Sequence, residues 1–346
     1  MLPRVMDKVK LGDFLTSLQG DYEVFGPVQK NKSFVFDRVQ GAKELSLDYT
    51  RTILPPKKYV VPQYETLLKY KMTGQKVDVA PVLDAPKRVV FGVHPCDVYA
   101  LWLMGDVFRD KDGDPYYQSR SENALIIGLE CKKPCDENCF CQDMGSLWVK
   151  AGYDMMFTDL EDRFFIDLGT ERGRELLMRH ASAKAATPED FNAKQKYMEE
   201  KGANFRKKIP VDVRYLPELL EQSMDSLVWQ AQSRKCVACG QCTLVCPTCY
   251  CFNVEDRLDL DVSGGQRRRH WDSCMLEEFS KVATGENFRE RVPDRLRHRC
   301  FRKGKYILEK FGKSGCVGCG RCIITCPAKI NILEIFNLIS TAGSSI

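Results

Sequence analysis

An α/β N-terminal domain followed by a mainly helical domain built around cysteines is the fold class this sequence predicts, on three observations. Two apolar runs, RVVFGV at residues 88–93 and ALIIGL at 124–129, have strand length and no polar alternation, the pattern of strands buried on both faces. Segments that read as helices follow the strands, giving the order of an α/β domain. The third observation is a repeat: the spacing C-x2-C-x2-C-x3-C-P occurs at Cys236, Cys239, Cys242, Cys246 and Pro247, and again at Cys316, Cys319, Cys322, Cys326 and Pro327.

Taken in order, residues 22–28 and 33–39 read as short strands and 62–70 as a short helix. The strand at 88–93 leads to Cys96 in His94-Pro95-Cys96-Asp97 and a helix over 98–107. The strand at 124–129 leads to Cys131. Ligands of α/β sheets sit at the carboxyl ends of strands, so both thiols point to one site. A strand at 163–168 and a helix at 171–180 complete a first domain over 1–185. Residues 186–215 form a polar, partly helical connector in which Thr187 caps a helix, Pro188 takes its first position and Glu189 and Asp190 favour its positive end. The second domain, 216–346, opens with a helix over 217–233. It carries an insertion between Cys246 and Cys316 with helical flanks, and ends in an apolar helix over 330–339.

The repeated motif is the ligand pattern of two [4Fe-4S] clusters in bacterial-type ferredoxins. A tight C-x2-C-x2-C loop offers three thiolates to three irons of one cube, and the fourth cysteine of each motif reaches the other cube. The sets are therefore Cys236, Cys239, Cys242 with Cys326, and Cys316, Cys319, Cys322 with Cys246. Zinc would close a tetrahedron with two C-x2-C pairs and no trailing C-P. The second domain is thus ferredoxin-like, a dicluster unit.

A third group, Cys131, Cys135, Cys139 and Cys141, is spaced C-x3-C-x3-C-x-C, with Cys96 as a fifth candidate. Buried free thiols are one reading, since cysteine behaves as a small hydrophobe. The polar neighbours Lys132, Lys133, Asp136, Glu137 and Asn138 favour the other, a third [4Fe-4S] cluster on a solvent-side loop. Cys249, Cys251 and Cys274 either meet across the insertion as another metal site or pack around the first cluster. Cys300 reads as an ordinary residue. Of the four histidines, His94 lies beside Cys96, His270 and His298 fall in the basic runs 267–269 and 295–299, and His180 stands apart. Those runs are either solvated faces or cations placed near anionic clusters.

The chain has 346 residues, 44% apolar and 29% charged, with a formal net charge of +5, so it is ordinary globular protein with little call for a nucleic-acid role. Its start lacks a secretory h-region, and no apolar run reaches membrane-spanning length. Seventeen cysteines without an export signal imply metal ligation in a reducing compartment, hence the cytoplasm. No G-x-G-x-x-G after a strand, Walker loop, H-E-x-x-H or nucleophile elbow is present. Flavin and pyridine nucleotide are therefore expected on a partner.

Longer stretches carry a resemblance: FGVHPCDVYAL at 91–101, DPYY at 114–117, ENALIIGLEC at 122–131, CFCQDMG at 139–145, CPTCYCFNVED at 246–256, RRRHWDSC at 267–274 and RLRHRCFRK at 295–303. Together they resemble the family of iron–sulfur subunits found in cytosolic sulfhydrogenases, as the beta subunit, and in anaerobic sulfite reductases. The resemblance implies that Cys96, Cys131, Cys139 and Cys141 ligate the third cluster and that Cys135 is spare. It further implies an electron-transfer subunit in a hetero-oligomer, linking a [NiFe] hydrogenase or sirohaem sulfite reductase to a flavin/NAD(P)H- or ferredoxin-linked subunit. The alternatives are an autonomous oxidoreductase whose N-terminal cluster binds substrate, and a zinc-stabilised interaction module.

Overall fold

The computed structural model describes residues 1–205, 208–209 and 211–342. Its strands are β1 (Arg4–Asp7), β2 (Glu23–Lys30), β3 (Ser33–Arg38), β4 (Tyr64–Thr73), β5 (Lys76–Pro81), β6 (Arg88–Val93), β7 (Ala124–Leu129), β8 (Met155–Asp159), β9 (Arg163–Leu168), β10 (Lys184–Ala185), β11 (Phe252–Leu258) and β12 (Gly264–Trp271). Helices in the first half are α1 (Leu11–Leu18), α2 (Pro95–Arg109), α3 (Pro115–Asn123), α4 (Glu171–His180) and α5 (Pro188–Asn204). The second half adds α6 (Leu216–Gln222), α7 (Leu227–Ser233), α8 (Gln241–Leu244), α9 (Val292–Phe301), α10 (Ile307–Phe311), α11 (Arg321–Ile324) and α12 (Ile332–Ala342).

Eight strands form a mixed sheet in the order β10-β1-β9-β8-β7-β6-β2-β3, with β2, β6, β7 and β8 parallel at its centre. The two central runs are buried on both faces, as their composition requires. Val89, Phe91, Leu125 and Ile127 pack with Phe14, Leu15 and Leu177 on one side. Val90 and Ile126 pack with Leu101, Met104 and Tyr117 on the other. Strict alternation would send Val93 to the first face, yet it lies in the second core. A register irregularity between Phe91 and Val93, with Gly92 at φ 79°, makes the change. It re-aims the chain just before His94, so that α2 starts with Cys96 facing the site.

The segment over 62–70, expected as a helix, is instead strand β4. Its helix-like apolar spacing yields to antiparallel pairing with β5 on one side and β12 on the other. The second sheet, β11-β12-β4-β5, is therefore built from both halves of the chain: the insertion between the cysteine motifs supplies β11 and β12. The second half thus contains strands as well as helices. The single helix expected over 217–233 is two, α6 and α7. Ser226 interrupts it, its side chain accepting from Val228 N at 3.2 Å, and the Trp229 indole donates to Ser223 O at 2.6 Å.

Helix α5 starts as its sequence dictates. Thr187 Oγ1 accepts from Asp190 N at 3.4 Å and the Asp190 carboxylate accepts from Thr187 N at 2.8 Å, a reciprocal capping box. Thr187→Ala is expected to lower stability by about 1 kcal/mol, read as a shift in the urea midpoint with unchanged slope. Among the described residues no helix is long and apolar enough to cross a membrane.

Candidate iron–sulfur centres

The two repeated motifs fold alike because their backbones need the same turns. Ala238 and Gly318 take φ of 53° and 63°, and Gly240 and Gly320 both take 76° before the short helices α8 and α11. A Cβ on Gly318 would lie 2.6 Å from Phe140 C, and one on Gly320 2.8 Å from Asn138 O, so the loop bearing Cys139 and Cys141 presses directly on the second motif. In the first motif Ala238 occupies the position matching Gly318. Backbone N–H groups point at the sulfurs: Ala238 N to Cys236 at 3.4 Å, Gly318 N to Cys316 at 3.5 Å and Ile330 N to Cys326 at 3.3 Å. Such donors favour thiolate over thiol.

Cys236, Cys239, Cys242 and Cys326 line one pocket, closed by Met275, Leu296, Arg299 and Ile330. Cys246 faces Cys316, Cys319 and Cys322 across the pseudo-symmetric pair. The last cysteine of each motif therefore lies with the first three of the other. Among the described residues no three His, Cys, Asp or Glu side chains converge on a single-ion point.

Around these sulfurs lie cations that the fold takes out of water. Arg299 on α9 is 4% exposed, hydrogen-bonds to Cys322 and faces Cys242. Lys303 is 3% exposed, its Nζ donating to Thr248 Oγ1 at 2.6 Å, and a π-helical turn over Arg302–Tyr306 brings it inward. Thr248 in turn donates to Gly315 O at 2.6 Å, joining the two motifs. No carboxylate among the described residues lies within ion-pair distance of either cation. A buried cation without a counter-charge is costly, and thiolates of anionic clusters supply that charge. The residues present fit the clusters that the motifs imply.

The third group is gathered by different elements. Cys96 stands in the first turn of α2, Cys131 follows β7, and Cys135, Cys139 and Cys141 lie on the loop beyond. All five line one pocket with Arg51, His94 and Arg321, and Cys319 of the second motif lines it too. Cys135 Sγ donates to Thr50 O at 2.6 Å. Hydrogen bonds from Cys135 and Cys141, together with the Arg51 guanidinium, hold the Cys139 thiol well below the ordinary thiol range. Burial pushes the Cys131 thiol up to about 12. Burial, reinforced by Arg321, pushes His94 down to about 3, so its ring is neutral; it stacks on Tyr49 with centroids 4.0 Å apart.

The lock between this pocket and the second motif is a contact that sequence reasoning misses. Arg321, the residue before Cys322, forms a bidentate pair with Asp97, the residue after Cys96, both bonds at 2.7 Å. The two side chains are 3% and 1% exposed. Arg321 Nε also donates to Thr52 O at 2.8 Å, and Phe140 N to Gly318 O at 2.8 Å. The available signal is the position of Asp97 and Arg321 beside candidate ligand cysteines, but nothing in one chain pairs residues so far apart.

The basic runs divide. Arg267 on β12 pairs with Asp256, and buried Arg269 with Glu65 and Asp114, so this run ties the second sheet together. In the other run Arg299 reaches the thiols, whereas Arg297 donates to Met224 O at 2.9 Å. His270 stacks on Tyr64, His298 lies near Tyr306, and His180 bonds Ser17 Oγ at 2.9 Å. Cys300 is fully buried among Leu220, Trp229 and Phe336.

Comparison with known proteins agrees with this geometry. Residues 235–330 match the 4Fe-4S dicluster domain family. The chain is 35% identical over 326 residues to sulfhydrogenase 2 subunit beta of Pyrococcus furiosus, covering 94% of each chain. No solved structure gives a significant match. The protein binds [4Fe-4S] clusters and has an iron–sulfur electron-transfer role. With 35% identity over 94% of each chain and the dicluster family matched, the chain belongs to the sulfhydrogenase beta-subunit family of 4Fe-4S dicluster proteins.

Proposed function

We propose that this chain is the relay subunit of a hetero-oligomeric complex, set between a catalytic metalloenzyme, a [NiFe] hydrogenase or a sulfite reductase, and a flavin/NAD(P)H- or ferredoxin-linked subunit. Cys236, Cys239, Cys242 and Cys326 would hold one [4Fe-4S] cluster, Cys246, Cys316, Cys319 and Cys322 a second, and Cys96, Cys131, Cys139 and Cys141 a third. When bound, these groups supply one-electron transfer.

The observation that carries this reading is continuity. Cys319 belongs to the second set and lines the pocket of the third, while the second and first sets exchange their fourth cysteines. Three thiol sets thus form one chain of contacts through the protein. Its far end meets solvent at Cys239, the one exposed cysteine of the seventeen. The protein's own residues position the sulfurs, exclude water and fix the surrounding charge; no side-chain acid or base is required. Anaerobic capture of the tagged chain from its host tests the reading. Co-elution with a flavoprotein and a nickel- or sirohaem-containing protein is expected, and a chain that elutes alone, iron-loaded and active would overturn it.

One observation favours a second reading, an oxidoreductase with substrate at the third centre. A cavity of about 450 Å³ at the carboxyl ends of β6, β7 and β8 is lined by His94, Cys131, Cys135, Lys132, Lys133 and Tyr197. It opens onto the same thiols. Turnover of an added acceptor by the isolated chain, lost on filling the cavity with Asn204→Trp, is the result that would select this reading. Cys135→Ser separates ligand from spare thiol: iron content is expected to stay intact, and loss of about four irons per chain would place Cys135 among the ligands.

A further inference from the structure

Cys249, Cys251 and Cys274 belong to none of the three sets, yet the fold brings them together. The β11–β12 ladder ends in the pair Phe252 and Trp271, and one step further Asp272 N donates to Cys251 O at 2.9 Å. Cys274, two residues on, turns back so that its thiol and its backbone N–H both bond the Cys251 sulfur. Cys249 lies against the same pair, its N–H directed at Cys246 O at 3.4 Å. Cys274 is buried and the other two are half-buried.

Charge gives the independent argument. Four buried cations have carboxylate partners: Lys201 with Glu130, Arg321 with Asp97, Arg120 with Glu65, and Arg269 with Glu65 and Asp114. Lys57, only 2% exposed, has none among the described residues, as is also true of Arg295, Arg299 and Lys303. Lys57 Nζ donates to Cys249 O at 2.5 Å and lies 4.1 Å from the centroid of the Trp271 ring. Lys303, which faces Cys246 and Cys316 of the second set, also hydrogen-bonds to Cys249. No carboxylate among the described residues comes within ion-pair distance of either lysine. Thiolates bound to a metal at this group would place negative charge beside Lys57. Arg299 already stands at the second set on the side of Cys322, whereas Lys57 faces Cys249.

We propose that Cys249, Cys251 and Cys274 hold a further thiolate-ligated metal centre, with one coordination position not filled by a cysteine. Cys246 is committed to the second set. The metal is iron with sulfide, a thiolate-ligated cluster. That no three side chains among the described residues converge on a single-ion point argues against a lone zinc ion here and holds equally for the ferredoxin-type sets, whose thiols must surround a cube.

The test is a metal and sulfide count on anaerobically prepared wild-type protein and on a Cys251→Ser/Cys274→Ser variant. The three sets account for about twelve irons per chain. Iron beyond that figure, with matching sulfide, is expected in the wild type, and the variant should lose it while the EPR signals of the other clusters persist. A wild-type count of about twelve irons, or a variant with unchanged metal, would overturn the proposal. Should the variant fail to fold, iodoacetamide labelling of the wild-type holoprotein decides. Cys249 and Cys251 should resist modification until a chelator strips the metal, and prompt labelling of both overturns the site. Because the site rests on the relay reading only for the chain's metal chemistry, the outcomes separate. A wild-type chain short of the relay's irons, yet carrying metal that the variant loses, would sink the relay and keep this centre.

Discussion

Asp97→Asn is expected to destabilise the protein by about 3–5 kcal/mol, the largest effect expected of any single substitution around the three thiol sets. The Arg321–Asp97 pair is almost wholly inaccessible, with both bonds at 2.7 Å. Removing the carboxylate's charge while keeping its shape strands a guanidinium whose remaining anionic neighbours are the thiols of Cys319 and Cys96. The pair also joins the first turn of α2 to the second motif, so the loss should appear where the two halves meet. Anaerobic urea unfolding, followed through cluster absorbance and tryptophan fluorescence, would show a lowered midpoint. A shift under about 1 kcal/mol would mean that cluster thiolates alone balance Arg321, and that the pair contributes little.

Arg299→Met should lower the reduction potential of the first or second cluster by something on the order of 100 mV. A unit charge about 6 Å away at an effective dielectric near 20 contributes about 2–3 kcal/mol, and about 59 mV corresponds to 1.4 kcal/mol for one electron. The sign follows from charge: Arg299 lies between Cys242 and Cys322, and its cation stabilises the state with one more electron. Methionine preserves volume and removes the charge. Redox titration monitored by EPR reads the shift directly, and unchanged potentials with intact iron content would remove Arg299 from the relay's electrostatics. In metal-stripped protein the same substitution should not destabilise, because no carboxylate among the described residues is left unpaired by it.

Why some of this is legible in sequence and some is not follows from how far each constraint reaches. Cysteine spacing is a local property of a loop, so the two motifs and their turns at Gly240 and Gly320 can be read directly. Buried strand runs announce themselves because β6 and β7 have no polar face at all. Segment β4 misleads because its partners lie elsewhere in the chain: ten residues with mixed apolar spacing become a strand only when β12, nearly two hundred residues later, supplies its ladder. The helix break at Ser226 has a cap signal that a continuous apolar pattern obscures.

By itself, then, the sequence determined the eight cysteines of the two repeated motifs, the buried strands of an α/β core and a family resemblance across most of the chain, and offered the other thiols, Cys300 apart, as candidates. Tertiary structure decided the surroundings of those thiols. It placed Cys319 at the wall between two sets, paired Asp97 with Arg321, drew Lys57 onto the Cys249 carbonyl and Lys303 onto Thr248 out of water, and turned the insertion back to form one sheet with the first half. Ligand spacing is set by neighbours in sequence. The charge around a cluster is set by residues that meet only after the chain has folded, and that electrostatic environment governs what the thiol chain can do.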